Sequence, residues 1–169
     1  EITDTDLDTM WYSLNGGVNI TFINNGTIDQ NNWTALSDVP VTIIFYANDS
    51  AGNINFRSVY VNKDTVAPTV NLLSPTNLQL LGINSPSFSV EINDTYLDTM
   101  WYNLNGGENI TFATNGTFNP SAWGSLPNGT WTIYFFANDS AGNEAFDSVV
   151  VYVDKIIPTI VINLPLDDT

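Results

Sequence analysis

Ala137-Asn138-Asp139-Ser140-Ala141-Gly142-Asn143 repeats, residue for residue, the run Ala47-Asn48-Asp49-Ser50-Ala51-Gly52-Asn53. The offset is 90 positions, and the match spreads outward from this run without a gap. Leu7-Asp8-Thr9-Met10-Trp11-Tyr12 falls on Leu97-Asp98-Thr99-Met100-Trp101-Tyr102, Glu1-Ile2 on Glu91-Ile92, Asp64 on Asp154 and Pro68 on Pro158. About half of the comparable positions are identical, so the chain is a tandem array. The register sets the expected organisation. Residues 68–157 form one complete module, residues 1–67 a module lacking its first strands, and residues 158–169 the first strand of a following module. Both ends read as cuts in a longer array.

Within the complete module the apolar period is 2, as half-buried strands require. Thr69 to Leu73 reads as an edge strand between prolines. Ser87 to Asn93 places Phe88, Val90 and Ile92 on one face, with Ser89 and Glu91 on the other. Thr99 to Leu104 turns at Asn105-Gly106-Gly107, residue types that accept positive φ, and returns over Asn109 to Ala113. Asn119 before Pro120, and Asp29 in the first module, predict a capped helical turn, anchored by Trp123 and Trp33. Trp131 to Asn138 and Phe146 to Val153 make a hairpin around Asp139 to Asn143. About seven strands in about 90 residues predicts tandem immunoglobulin-like, Greek-key β-sandwiches, an all-β fold.

The run Leu126-Pro127-Asn128-Gly129-Thr130-Trp131, then Ala137 to Asn143, then Val149-x-Val151-x-Val153-Asp154 resembles prokaryotic immunoglobulin-like repeats. The block Asn93-Asp94 through Leu97-Asp98, Trp101-Tyr102 and Leu104-Asn105-Gly106-Gly107 is similar to tandem modules of archaeal cell-surface proteins in particular. The resemblance implies a structural module of a stalk, fibre or surface-layer array, extracellular, meeting neighbouring copies or other surface proteins. It departs from antibody domains in lacking cysteine. Trp131 stands where a tyrosine corner would sit, with Val41 at the equivalent position of the first module.

The formal charge is −15, from 18 acidic and 3 basic residues, without histidine. Phosphate binding needs clustered Lys and Arg, so a nucleic-acid partner is excluded, and an anionic membrane surface fails likewise. No apolar run approaches the roughly 20 residues of a membrane span. The absence of cysteine removes disulfides, thiolate metal sites and cysteine catalysis. Asp94 and Asp98 could pose as a glycosidase pair, but they share one short loop, and an enzyme is not expected.

Two chemistries remain. Asp64, Asp94, Asp98, Asn138 and Asp139 are expected to converge at one module junction, with Asp154 opening the equivalent set at the next. Oxygen ligands in such number suit Ca²⁺; the competing reading makes the same residues turn formers bonded to nearby backbone. Sequons are in excess, nine where about four are expected by chance. Asn19, Asn25, Asn32, Asn93, Asn109, Asn115 and Asn128 are the candidates for N-linked glycan, with Asn48 and Asn138 ranked below them.

Trp11, Trp101 and Tyr134 are expected to face away from the core. This supports an alternative reading as an adhesin binding glycans or another cell, although ring packing fits them better. A second alternative is a filament subunit. In it the terminal strand, with Ile160, Ile162 and Leu164, completes the open first module of the next subunit by strand addition.

Overall fold

A computed structural model describes residues 1–162. The chain divides into two compact units at Thr65/Val66. Each unit is all-β with one short helix.

Unit 1 holds β1 (Leu7–Leu14), β2 (Ile20–Phe22), α1 (Gln30–Thr34), β3 (Pro40–Asp49) and β4 (Ile54–Asn62). They form one antiparallel sheet in the order β2-β1-β3-β4. Tyr12, Leu14, Val41 and Ile43 are buried on one face, with Trp33, Leu36 and Phe45 packed beside them. Helix α1 starts where expected. The Asp29 carboxylate accepts from Asn32 N at 2.9 Å, supplying one of the partners that a first helical turn lacks.

Unit 2 adds a second layer. Its strands are β5 (Thr69–Ser74), β6 (Gln79–Leu81), β7 (Ser87–Asn93), β8 (Leu97–Leu104), β9 (Ile110–Thr111) and β10 (Gly116–Thr117). Then follow α2 (Pro120–Ser125), β11 (Gly129–Asp139) and β12 (Glu144–Val153). A three-stranded sheet, β10-β7-β5, lies over a five-stranded one, β6-β12-β11-β8-β9. This is an immunoglobulin-like β-sandwich. The period-2 pattern works out as expected: on β11, Ile133, Phe135 and Ala137 are fully buried. Phe88 on β7 is the aromatic hub, its ring 5.1–5.5 Å from those of Tyr102, Phe112, Phe118 and Phe135. Trp123 is 1% exposed and stacks on Phe118 at 5.8 Å, which fixes α2 to the core. Two strands lie outside the sequence expectation. Strand β10 pairs with β7, and β6 pairs in parallel with β12.

The turn at Asn105-Gly106 takes φ of 55° and 75°, the left-handed region that Asn and Gly tolerate. The expected opening strand of a third module starts at Pro158. Residues 158–162 make no ladder, and Ile160 and Ile162 are more than 80% exposed. The remainder of that expected strand, including Leu164, lies outside the described residues.

One repeat difference makes a test. Asn103 is buried, donates to Asn109 Oδ1 at 3.1 Å and accepts from Gly106 N at 3.0 Å. Its counterpart Ser13 is equally buried, and its hydroxyl has no partner. Gly16 and Asn19 wait at the equivalent positions. Ser13→Asn is expected to stabilise unit 1 by about 1 kcal/mol, read as a rise in its thermal midpoint.

Candidate functional site

The acidic loops are built by a turn that both units share. In unit 2, Asp139 ends β11 and is 1% exposed. Its Oδ1 accepts from Ala141 N and Asn143 N, each at 2.9 Å, and its Oδ2 from Asn143 Nδ2 at 2.8 Å. Asp49 and Asn53 reproduce the arrangement in unit 1. Asp139 is therefore a turn former, and its carboxylate is already well supplied with donors. Burial opposes its ionisation, but the Asn143 side chain and the Asn143, Ala141 and Gly142 amides outweigh it. The carboxyl is held below the ordinary carboxylate value. Asn53 does the same for Asp49.

A carboxyl whose folded pKa lies below its unfolded one stabilises the fold above the unfolded value. That contribution fades as pH falls through the folded value. Both units are expected to lose thermal stability steeply below about pH 4, and Asp139→Asn is expected to flatten that slope for unit 2. Melting curves from pH 7 to pH 2 measure it.

The other candidate ligands are placed as follows. Carboxylate oxygens of Asp94 and Asp139 approach within 4.8 Å, and Asp94 also accepts from Tyr96 N at 2.6 Å. Asp98 is exposed and accepts from the Thr99 hydroxyl. Asn138 Oδ1 accepts from Thr99 N at 3.0 Å, fastening the end of β11 to β8. Asp154 lies at the opposite end of the β11–β12 ladder, where it accepts from Asn128 Nδ2 and Ile156 N. Asp64 follows β4 at the end of unit 1 away from Asp49. A shallow concavity lined by Thr69, Ile92, Asn93, Asp94 and Leu97 contains one carboxylate, and Asp98 does not line it.

The sequons differ in what their amides do. Among the described residues, Asn19, Asn25 and Asn93 are exposed with no side-chain hydrogen bond, and Asn109 keeps its Nδ2 unengaged. The Nδ2 groups of Asn32, Asn48, Asn115 and Asn128 each donate within the protein.

Trp11, Trp101 and Tyr134 stand on the outer face of their sheets. Trp101 stacks on Phe136 at 5.4 Å with planes 4° apart, and Phe136 touches Phe146 at 5.6 Å and Tyr134 at 6.1 Å. Unit 1 repeats this with Trp11 on Tyr46 at 5.3 Å and 5°, and Tyr46 on Phe56 at 5.8 Å. Parallel rings at such separations turn their faces to one another. A sugar needs an open ring face, so these cross-strand stacks serve the sheet before they serve a ligand.

Two groups of residues escaped the sequence reading. The hydroxyls of Tyr12 and Tyr102 accept from Asp29 N and Asn119 N, both at 2.7 Å, tying β1 and β8 to the helix caps. Burial pushes the Tyr102 phenol up. Lys63 and Lys155 insert their amino groups among the carbonyls at the ends of α1 and α2. A signal existed. The chain holds three basic residues, and two of them lie one and two residues past the last strand of a repeat.

No protein-family profile matches the chain, and no curated protein matches it. Among solved structures it is similar to fibronectin(III)-like modules of CbhA from Clostridium thermocellum. The TM-score is 0.52 at 15% identity, covering 92% of this chain and 83% of that one. The likeness places the fold with fibronectin(III)-like, immunoglobulin-like β-sandwiches.

Proposed function

We propose that the chain is a load-bearing spacer of an extracellular surface protein or filament, of the stalk, fibre or surface-layer kind found on archaeal cells. The observation that carries this reading is the parallel pairing of β6 with β12. Strand β12 is the last strand of unit 2 and β6 the second, after β5, and they pair in the register Gln79↔Val151, Leu80↔Tyr152 and Leu81↔Val153. Leu78 N also donates to Val150 O at 2.6 Å, and Asp154 N to Leu81 O at 2.9 Å. Tension enters β6 from its N-terminal side and leaves β12 from its C-terminal side. Parallel strands loaded in this way shear, so their hydrogen bonds resist together rather than opening one at a time.

The repeat supports the same reading, since near-identical beads supply length with few new contacts. The net charge of −15 keeps such an array soluble. Neighbouring copies are its partners, and N-linked glycan at Asn19, Asn25 or Asn93 would lie on exposed surface. Ca²⁺ at the acidic loops would relieve the Asp94–Asp139 repulsion. A rise in melting temperature with Ca²⁺, reversed by EDTA, supports this ion, and identical melting in both removes it.

The spacer reading is tested by pulling the chain from its ends in a force spectrometer. Unit 2 should unfold in one step releasing roughly 300 Å, at about 3.5 Å per residue. Leu78→Pro removes the backbone donor to Val150 O and cannot take the φ of 61° found there, so it loosens the start of β6 at an exposed side chain. It should lower the unfolding force far more than it lowers thermal stability. An unchanged force sinks the load-bearing role. Antibody against the chain should label intact source cells.

A further inference from the structure

The outer tryptophan of unit 2 has one ring face in use and one turned to the sheet edge. The Trp101 and Phe136 planes lie 4° apart with their centres at 5.4 Å. Parallel rings that close cannot lie side by side, so one face of the indole is turned to β11. Trp101 pairs with Phe136 on that side and with Thr111 of β9 on the other. Strand β9 is the edge of its sheet, and Thr111 is small and exposed. Among the described residues, no ring covers the indole from that side.

An acceptor sequence for N-linked glycan, Asn109-Ile110-Thr111, runs along this edge. Ile110 packs against the core, so Asn109 and Thr111 take the outer side. The register Trp101↔Thr111 and Tyr102↔Ile110 sets Asn109 opposite Asn103 and diagonal to Trp101. Such diagonal neighbours stand about 7–8 Å apart, within the span of an asparagine side chain carrying one pyranose ring.

The Asn109 carboxamide is also oriented. Gly106 N can only donate, so the Asn103 atom it meets at 3.0 Å is Oδ1, and the other is the donor Nδ2. That Nδ2 lies 3.1 Å from Asn109, so the Asn109 atom it meets is Oδ1. The Asn109 Nδ2 is thereby directed off Asn103, and among the described residues it makes no hydrogen bond. By contrast, the Nδ2 groups of Asn32, Asn48, Asn115 and Asn128 are in use as donors. Unit 1 repeats the placement, with Trp11 between Tyr46 and Thr21 and the same acceptor sequence at Asn19-Ile20-Thr21.

We propose that Asn109, and Asn19 in the repeat, carry an N-linked glycan whose first sugar lies on the open face of Trp101 or Trp11. This rests on the extracellular location proposed above, and adds what covers the outer aromatic face. A pyranose presents C–H groups of partial positive charge on one side, and the face of an indole is negative. In the attachment, the Nδ2 lone pair bonds to the anomeric carbon of an oligosaccharide carried on a lipid phosphate. The anomeric C–O bond breaks, its electron pair leaves with the phosphate, and one Nδ2 proton passes to a base of the transferase.

Mass spectrometry of glycopeptides from source-cell protein reads which sequons are occupied, and Asn109 and Asn19 should be among them. The chain secreted by a eukaryotic host, trimmed to one N-acetylglucosamine per site, is then examined by NMR. Ring protons of the Asn109 sugar should be shifted upfield by the indole, and should lose that shift in Trp101→Leu. The unit 2 thermal transition is the folding control, and Thr111→Ala, which abolishes the acceptor sequence, assigns the resonances. A bare Asn109 in either preparation overturns the proposal. So do sugar protons at their free-sugar positions, or a shift that survives Trp101→Leu. Source protein bare at every sequon removes the glycoprotein reading as well, whereas glycan elsewhere with Asn109 bare overturns this assignment alone.

Discussion

Phe135→Ala is expected to destabilise unit 2 by about 3–5 kcal/mol, the cost of deleting a fully buried phenyl ring from a packed core. Phe45→Ala, the same change at the repeat-equivalent position, is expected to cost unit 1 about 1–2 kcal/mol. The two residues occupy matching registers: Phe135 pairs with Tyr102, and Phe45 with Tyr12. The difference lies in what stands opposite. Phe135 is fully buried, and the rings of Phe88, Phe112 and Phe118 lie 5.2–6.0 Å away. Phe45 meets Tyr12 and Phe22 from its own sheet at 6.0 and 6.1 Å, with no ring in the place of Phe88 among the described residues. Removing the Phe135 ring leaves a cavity with walls on both sides; removing the Phe45 ring leaves a dent. Urea unfolding of the whole chain, with each transition assigned by amide exchange, gives both numbers. Equal costs would mean that the face of unit 1 is covered after all.

The strands were legible because alternation is a local property. Ile133, Phe135 and Ala137 declare their face within five residues, and the 90-residue repeat sets the register of the whole. The helix starts were legible for the same reason, since an Asn or Asp cap acts within one turn. Strands β6 and β10 were not, because three and two residues are too short to show a period. Trp101 was legible as outward-facing, but its stack on Phe136 depends on the pairing of β8 with β11. Asp139 was ambiguous by nature. An Asp that closes a turn and an Asp that binds a cation share the same sequence context, and the hydrogen bonds from Ala141 and Asn143 show which work it performs in the turn.

Unit 2 is expected to lose about 2–4 kcal/mol in Lys155→Met, although the substitution keeps most of the side chain's length and apolar stem. The last carbonyls of a short helix have no partner inside the helix, and α2 ends against the sandwich. The Lys155 amino group answers three of them: Trp123 O at 2.5 Å, Leu126 O at 2.7 Å and Gly124 O at 3.3 Å. It also sits 5.8 Å from the centre of the Trp123 ring, a favourable place for a cation. Trp123 O keeps its bond from Leu126 N at 3.2 Å, but methionine leaves Gly124 O and Leu126 O without the amino group and partly shielded, which costs more than the bonds themselves gain. Lys63 performs the corresponding task in unit 1. It is 8% exposed, donates to Leu36 O, the repeat counterpart of Leu126 O, and pairs with Asp38 at 3.6 Å. Yet the two lysines do not align: Lys63 matches Val153, and Lys155 matches Thr65. They stand two residues apart on the same side of the chain, and the long side chain reaches the same carbonyl from either place. The requirement is therefore a cation at that carbonyl rather than a lysine at a fixed position. Lys63→Met should destabilise unit 1 by about 1–2 kcal/mol, less than its counterpart because one carbonyl loses its donor rather than two. Adding Thr65→Lys should restore a large part of that loss, read as recovery of the unit 1 midpoint in urea. Thr65→Lys also removes the Thr65 hydroxyl's bond to Asp38 at 2.6 Å, so Thr65→Met is its control; if the lysine restores nothing over the methionine, the carbonyl is not the cause.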